Sequence, residues 1–295
     1  MEKTINQQLD GLFRDWDKAL RTYVGYEPDN FTRDGLIYKY KPKWGFEKEY
    51  PTLAGTDTDL LVNGLWNKSS IKIVFLLKDK PDESGGDVRQ WLLYEHNNGK
   101  CSRELQGGKV GRIGFLPTIA RVIYGIYNST PDNLITFGEV SGIGMGDVRD
   151  MWNSLDGYPY ALVETKKMAG IPYVRPQQIK EALLRDSEFL KKELSYLNPN
   201  VFVCTHPSIY KFVQDFLAEK YKDVQDNQFV KIPNESKPSG FEESILLHRP
   251  SKSVILLGYH PSYYRLSRKE RYMSYMSHYH AFVQSSYYNE FFQQN

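Results

Sequence analysis

Cysteine is scarce in this chain. Two residues of 295, Cys101 and Cys204, are cysteine, too few for a cysteine-only metal or iron–sulfur centre and a poor basis for a disulfide framework. Long apolar runs are lacking as well. None approaches the roughly 20 residues that a bilayer-spanning helix needs, and Asp10, Arg14, Asp15 and Asp17 interrupt the first segment, where an apolar leader would lie. Net charge is small, +2 at neutral pH, which does not announce a nucleic-acid binder, although a basic face can hide inside a balanced total. Together these absences predict a soluble protein of a reducing, cytoplasmic compartment with no membrane partner. Tyrosine, by contrast, is plentiful at 22 residues, which suits either a wet aromatic groove or a tyrosine-rich core margin.

The chain is organised around Ser253-Lys-Ser-Val-Ile-Leu-Leu-Gly-Tyr-His260-Pro261-Ser262-Tyr263-Tyr264-Arg265. The apolar run from Val254 to Gly258 reads as a buried strand of a parallel sheet. Pro261 ends it, because proline cannot donate to a ladder. His260 is thereby placed just past the carboxyl end of an interior strand, where open α/β sheets hold their ligands. Ser262 is positioned to cap a helix beginning in Tyr-Tyr-Arg-Leu.

Three more strand-then-helix units precede it. Apolar residues at helical spacing predict a first helix over Ile5 to Tyr23. Residues 25–68 read as an irregular cover with a hairpin around Leu36. Ile71 to Leu77 forms a strand that runs into Lys78, Asp79 and a Gly85-Gly86 turn. Asp87 is then the N-cap of a helix carrying Trp91. Lys109 to Tyr127 is a helix, and residues 128–156 form a connection with a short helix at Asp147 to Trp152. Tyr158 to Lys167 is the second strand, Gln177 to Leu197 one helix, and Val201 to Cys204 the third strand. His206-Pro207-Ser208 follows and opens another helix. Residues 221–252 read as a charged excursion before the last strand and a C-terminal helix. The two His-Pro-Ser segments use one turn chemistry twice rather than marking a duplication. His278 and His280 point to different sides of their helix, so they make no metal pair.

The fold class these units imply is α/β, a three-layer α/β/α sandwich around a mostly parallel four-stranded sheet. Its carboxyl edge then gathers Asp79, Glu83, Glu164, Lys167, His206 and His260, a set able to do general acid–base or charge-stabilising work. His206 reads as a structural turn histidine.

Four stretches carry a resemblance: Leu77-Lys-Asp79-Lys-Pro81, Leu162-Val-Glu164-Thr-Lys-Lys167, Pro199-Asn-Val-Phe-Val-Cys204 and His260-Pro261-Ser262-Tyr263-Tyr264-Arg265. In this order, over residues 70–270, they resemble the uracil-DNA glycosylase superfamily. The resemblance implies one such domain over residues 1–295, with 1–68 as an N-terminal cover. It implies hydrolysis of the N-glycosidic bond of a flipped base in DNA, without metal, cofactor or obligate protein partner. Under it His260 donates to the charge developing on the departing base and Asp79 serves the water or the sugar cation. Trp91, Glu164 and Lys78 lie around the base, and Ser262, Tyr263, Arg265, Leu266 and Lys167 contact DNA. The chain departs from the pattern at Lys78, where the family has glycine, and at Glu164, where it has a base-reading asparagine. An ionised Glu164 only accepts hydrogen bonds, which favours a base with an exocyclic amine. The alternatives are an inactive nucleic-acid-binding module of the same fold and an unrelated small-molecule hydrolase.

Overall fold

The computed structural model describes residues 2–23, 25–38, 56–79, 85–91, 115–143, 154–155, 157–168, 175–226, 228–232 and 245–292. The fold is α/β. Seven strands make one mixed sheet: β1 (Gly35–Leu36), β2 (Ile73–Asp79), β3 (Tyr160–Lys166), β4 (Val201–Cys204), β5 (Phe229–Lys231), β6 (Ile245–His248) and β7 (Ser253–Leu257), in the spatial order β1-β3-β2-β4-β7-β6-β5. The inner four, β3, β2, β4 and β7, run parallel. The outer three are antiparallel additions. The sheet therefore has seven strands where four were expected.

Alternation along each inner strand explains why the sheet is buried on both sides. Ile73, Phe75 and Leu77 join one apolar cluster with Val254 and Leu256. Val74 and Leu76 join the other with Ile255 and Leu257. Burying each such side chain stabilises by roughly 1.5–3 kcal/mol. On the first face lie α3 (Leu116–Asn128), α7 (Arg268–Val283) and α8 (Tyr287–Phe292). On the second lie α1 (Ile5–Leu20), α2 (Thr56–Lys68), α4 (Pro176–Arg185), α5 (Ser187–Leu197) and α6 (Pro207–Lys220).

Helix α1 forms as its pattern predicts. Thr4 and Gln7 close a capping box, which satisfies backbone donors that have no partner inside the helix. Leu9, Leu12, Phe13, Trp16 and Leu20 are buried, whereas Tyr23 lies beyond the helix and is exposed.

Several expectations need correction. The segment 25–68 is more than a cover: β1 extends the sheet, and α2 contributes Val62 and Trp66 to the core. Gly35 makes this possible, since its φ of +125° disfavours other residues and an added Cβ would sit 2.5 Å from Leu9 Cδ1. The strand at Leu36 pairs with β3, and residues 39 and 40 of the expected hairpin lie outside the described residues. The helix expected over 177–197 is two helices broken at Asp186, whose carboxylate is held by the Arg185 guanidinium. The excursion at 221–252 supplies β5 and β6. Asp87 caps as expected, its Oδ1 accepting the Arg89 N–H at 3.0 Å. The expected helix at 147–152 and residues 109–114 of another lie outside the described residues.

Candidate functional site at the carboxyl edge of the sheet

Taken in chain order, the four parallel strands lie 2-1-3-4 across the sheet. The chain leaves β2 toward β3 and returns to its other side as β4, so the crevice of this fold type opens at the carboxyl ends of β2 and β4. His206 follows β4 by two residues, and His260 follows the neighbouring β7 by three.

The loop after β7 is tied down. The Gly258 N–H donates to the Cys204 carbonyl at 3.0 Å, extending the ladder by one residue. A Cβ on Gly258 would meet Tyr275 ring atoms at 2.3 and 2.4 Å, so only glycine lets α7 pack this closely. The Tyr275 hydroxyl donates to the Tyr259 carbonyl. Thr118 Oγ1 on α3 donates to the Pro261 carbonyl at 3.1 Å. Arg271 Nη1 donates to the carbonyls of Tyr263 and Leu266, both at 2.9 Å. Side chains of α3 and α7 thus fix the path from Gly258 to Leu266.

Within that loop, His260 Nδ1 accepts the Ser262 backbone N–H at 3.3 Å and lies 2.8 Å from Ser262 Oγ. With Nδ1 accepting, the neutral ring carries its proton on Nε2. His206 repeats the arrangement, Nδ1 accepting the Ser208 N–H at 3.1 Å. The two turns then diverge. Pro207 begins α6 with His206 as its N-cap. After His260 no helix begins until Arg268, where Ser267 forms a capping box with Glu270. Contrary to expectation, Ser262 caps no helix and holds His260 instead.

Both imidazoles are held neutral. Burial, followed by the Lys78 ammonium, lowers the pKa of His260 to about 4. Burial, followed by Lys78 and Lys180, does the same for His206. Lys78, one residue before the end of β2, is thus the cation that both histidines face.

Asp79 closes β2, in register with Lys166. Its side chain, that of Trp91 and Glu83 lie outside the described residues. The ends of β2 and β7 belong to the same edge with β4 between them, so their axes are about 10 Å apart. Glu164 is buried, opposite Leu77, and its N–H donates to Asp34 Oδ2 at 2.6 Å. Three strand spacings, about 14 Å, separate β3 from β7. A ligand touching both Glu164 and His260 has to lie along the edge across β2 and β4.

Of the DNA-contact set, Ser262 and Arg265 are exposed, while Tyr263 and Leu266 are half-buried. Tyr263 stacks on Tyr259, centroids 5.4 Å apart and planes within 8°. Tyr264, absent from the expected contacts, is the exposed ring at 80 % accessibility. Arg265 packs over it at 5.8 Å and donates to its hydroxyl. Lys167 is misplaced by the sequence reading. It is fully buried and paired with Asp34 at 2.6 Å and Glu193 at 2.8 Å, so it reaches no phosphate. Asp34 and Glu193 were not foreseen at all. Burial and then the Asp34 charge raise the Glu193 pKa well above its ordinary value.

Three arginines add positive potential near the loop. Arg121 is buried on α3 and donates to the carbonyls of Val140 and Ile143. Burial, then the charges of Arg268 and Arg271, lower its pKa to about 10. Arg271 is lowered too, by burial and Arg268.

The histidines set a pH dependence. His206, His248, His260 and His278 each fall to about 4, with burial the first cause in every case. In the unfolded chain they bind protons at the ordinary 6.5. Their contribution is therefore complete above about pH 6.5 and is lost as pH falls toward 4. Glu193 and Asp59, both raised by burial, work in the opposite direction, two groups against these four and His280, which burial also lowers. Urea midpoints are expected to be lower at pH 5 than at pH 7.5. A flat or rising midpoint would contradict this.

Among the described residues, no three His, Cys, Asp or Glu side chains gather into a metal-binding group, and no helix is long and apolar enough to cross a membrane. A scan against protein-family models and a search of curated proteins both returned no match.

Proposed function

We propose that this chain is a base-releasing hydrolase acting on DNA, in the manner of the uracil-DNA glycosylases. The observation that carries the reading is His260: a neutral imidazole, its Nδ1 held by the Ser262 N–H, at the carboxyl edge of the parallel core. In the reaction, water adds to the sugar C1′ and the C1′–N bond breaks. The bonding pair leaves on the base nitrogen, and the water proton passes to a carboxylate or to solvent. His260 Nε2–H donates to the negative charge growing on the base, which a preorganised donor stabilises more than the ground state. Asp79 is the carboxylate assigned to the water and the sugar cation. The four parallel inner strands, with helices on both faces, are the frame this assignment needs.

DNA suits the edge as a partner. Exposed Tyr264 and Arg265 lie beside Arg268 and Lys269, which are also exposed, an aromatic flanked by cations such as binds splayed nucleotides. Extrusion of a base costs roughly a few kcal/mol, least at lesions. The reading implies a metal-free and cofactor-free enzyme in a DNA-bearing, cytoplasmic compartment. A second reading, a module that grips nucleic acid without cleaving it, is favoured by Lys78 standing where close backbone approach calls for glycine.

Release of free base from single- and double-stranded oligonucleotides, each carrying one uracil or one damaged base, separates the two. Release from at least one substrate supports the enzyme. Binding that weakens steeply with salt, without release from any substrate, supports the module, because counterion release marks phosphate contact. Neither release nor binding defeats both.

A further inference from the structure

A cavity of about 390 Å³ opens at the opposite, amino edge of the sheet, between the starts of β2, β4 and β7 and the ends of α5 and α6. Lys72 and Asp79 bracket β2, so the cavity and the His260 edge are about 20 Å apart. The cavity takes no part in the function proposed above.

Its chemistry is one-sided. Three lysines, Lys72, Lys220 and Lys252, line it, and none of its lining residues is acidic. The Lys220 ammonium lies 5.7 Å from the Phe216 ring and 5.6 Å from Tyr221. Its hydrogen-bond partner is the neutral Asn198 Oδ1, at 3.1 Å. Loss of hydration there lowers its pKa. An ammonium so placed gains from an anion more than a hydrated one does. Two other lysines on α5 and α6 have carboxylates, Lys191 with Glu188 and Glu219 and Lys211 with Asp215.

The rest of the wall is built for a ring. Phe202, Phe216, Phe291 and Phe292 supply apolar surface between the lysines. The rim is stiff. Asn200 Oδ1 accepts the Lys72 N–H at 2.7 Å and its Nδ2 donates to the Ser70 carbonyl at 2.7 Å. Ser251 and Ser253 bond to each other at 2.8 Å. The volume falls in the range of about 300–1,000 Å³ that holds small ligands.

We propose that this cavity binds a small phosphorylated ring compound of mononucleotide size, its phosphate among Lys72, Lys220 and Lys252 and its ring against the phenylalanines. Lysine serves phosphate as a point charge, without the geometric demand of arginine.

The test is calorimetric titration of the full chain with AMP and UMP, beside adenosine and inorganic phosphate. The mononucleotides are expected to bind at least about tenfold more tightly than adenosine or phosphate alone, a difference of about 1.4 kcal/mol. The double variant Lys220→Gln/Lys252→Gln, with unchanged thermal midpoint, is expected to lose at least about tenfold for AMP, and His260→Ala to lose nothing. Affinity should also fall with salt, since exposed charges are screened. No binding of either mononucleotide at millimolar concentration overturns the proposal. So does binding that survives the double lysine change, or that disappears with His260→Ala. Phosphate binding as tightly as AMP overturns the assignment of the ring. A double variant that fails to fold is replaced by Lys252→Gln alone, expected to weaken AMP at least about threefold.

Discussion

Lys167→Met is expected to destabilise the protein by about 3–5 kcal/mol, the cost of breaking a buried charge network by removing one partner. The side chain is sealed from solvent between two carboxylates, with its ammonium 5.2 Å from the Phe13 ring and 5.1 Å from Trp16. Methionine keeps most of the stem and its packing but withdraws the positive charge. Burial and the Asp34 charge raise the Glu193 pKa. The cost falls on the two carboxyl groups left facing each other in an apolar setting without a cation between them. A loss of this size is a large share of the about 5–15 kcal/mol typical of whole domains. Urea unfolding at constant slope measures it. Adding Asp34→Asn should return part of the loss, because the two sites share one network. A change below about 1 kcal/mol would show that the charges are solvated or re-paired.

His260→Ala is expected to lower base release by about 10²–10³-fold, equivalent to about 2.7–4 kcal/mol of transition-state stabilisation. Affinity for the oligonucleotide should change by no more than a few-fold, because the donor acts on charge that develops only as the bond breaks. Burial and Lys78 hold the pKa of His260 at about 4, so the ring stays a neutral donor across the physiological range. The proposed role needs no charge on the ring, and a neutral donor spares the site the cost of a buried cation beside Lys78. Single-turnover release on the most reactive oligonucleotide measures the effect. Retention of the rate to within threefold would remove His260 from the chemistry.

The inner strands were legible in the sequence because each is a compact apolar run with polar residues at its ends. β1 was not, since two residues, Gly35 and Leu36, make no pattern. The break at Asp186 was hidden because the apolar spacing continues through it, with Leu183 and Leu190 buried on either side. The place of His260 past the end of β7 was readable for a local reason: the apolar run stops at Gly258, and Pro261 keeps the ladder from resuming. Lys167 was misread for the converse reason. A lysine at the end of a strand looks exposed, and the residue that buries its charge, Asp34, lies 133 positions away in sequence. The three cavity lysines are as scattered, at positions 72, 220 and 252, so only the fold brings them together.

The outermost strands have a consequence for the protein at high concentration. Among the described residues the sheet ends at β1, two residues long, and at β5, three residues long and carrying Lys231. A border that short presents few open backbone groups to a neighbouring molecule, and a charged residue on it discourages stacking strand to strand. The long, sticky inner strands are thereby kept from templating fibres, and concentrated solutions should stay clear.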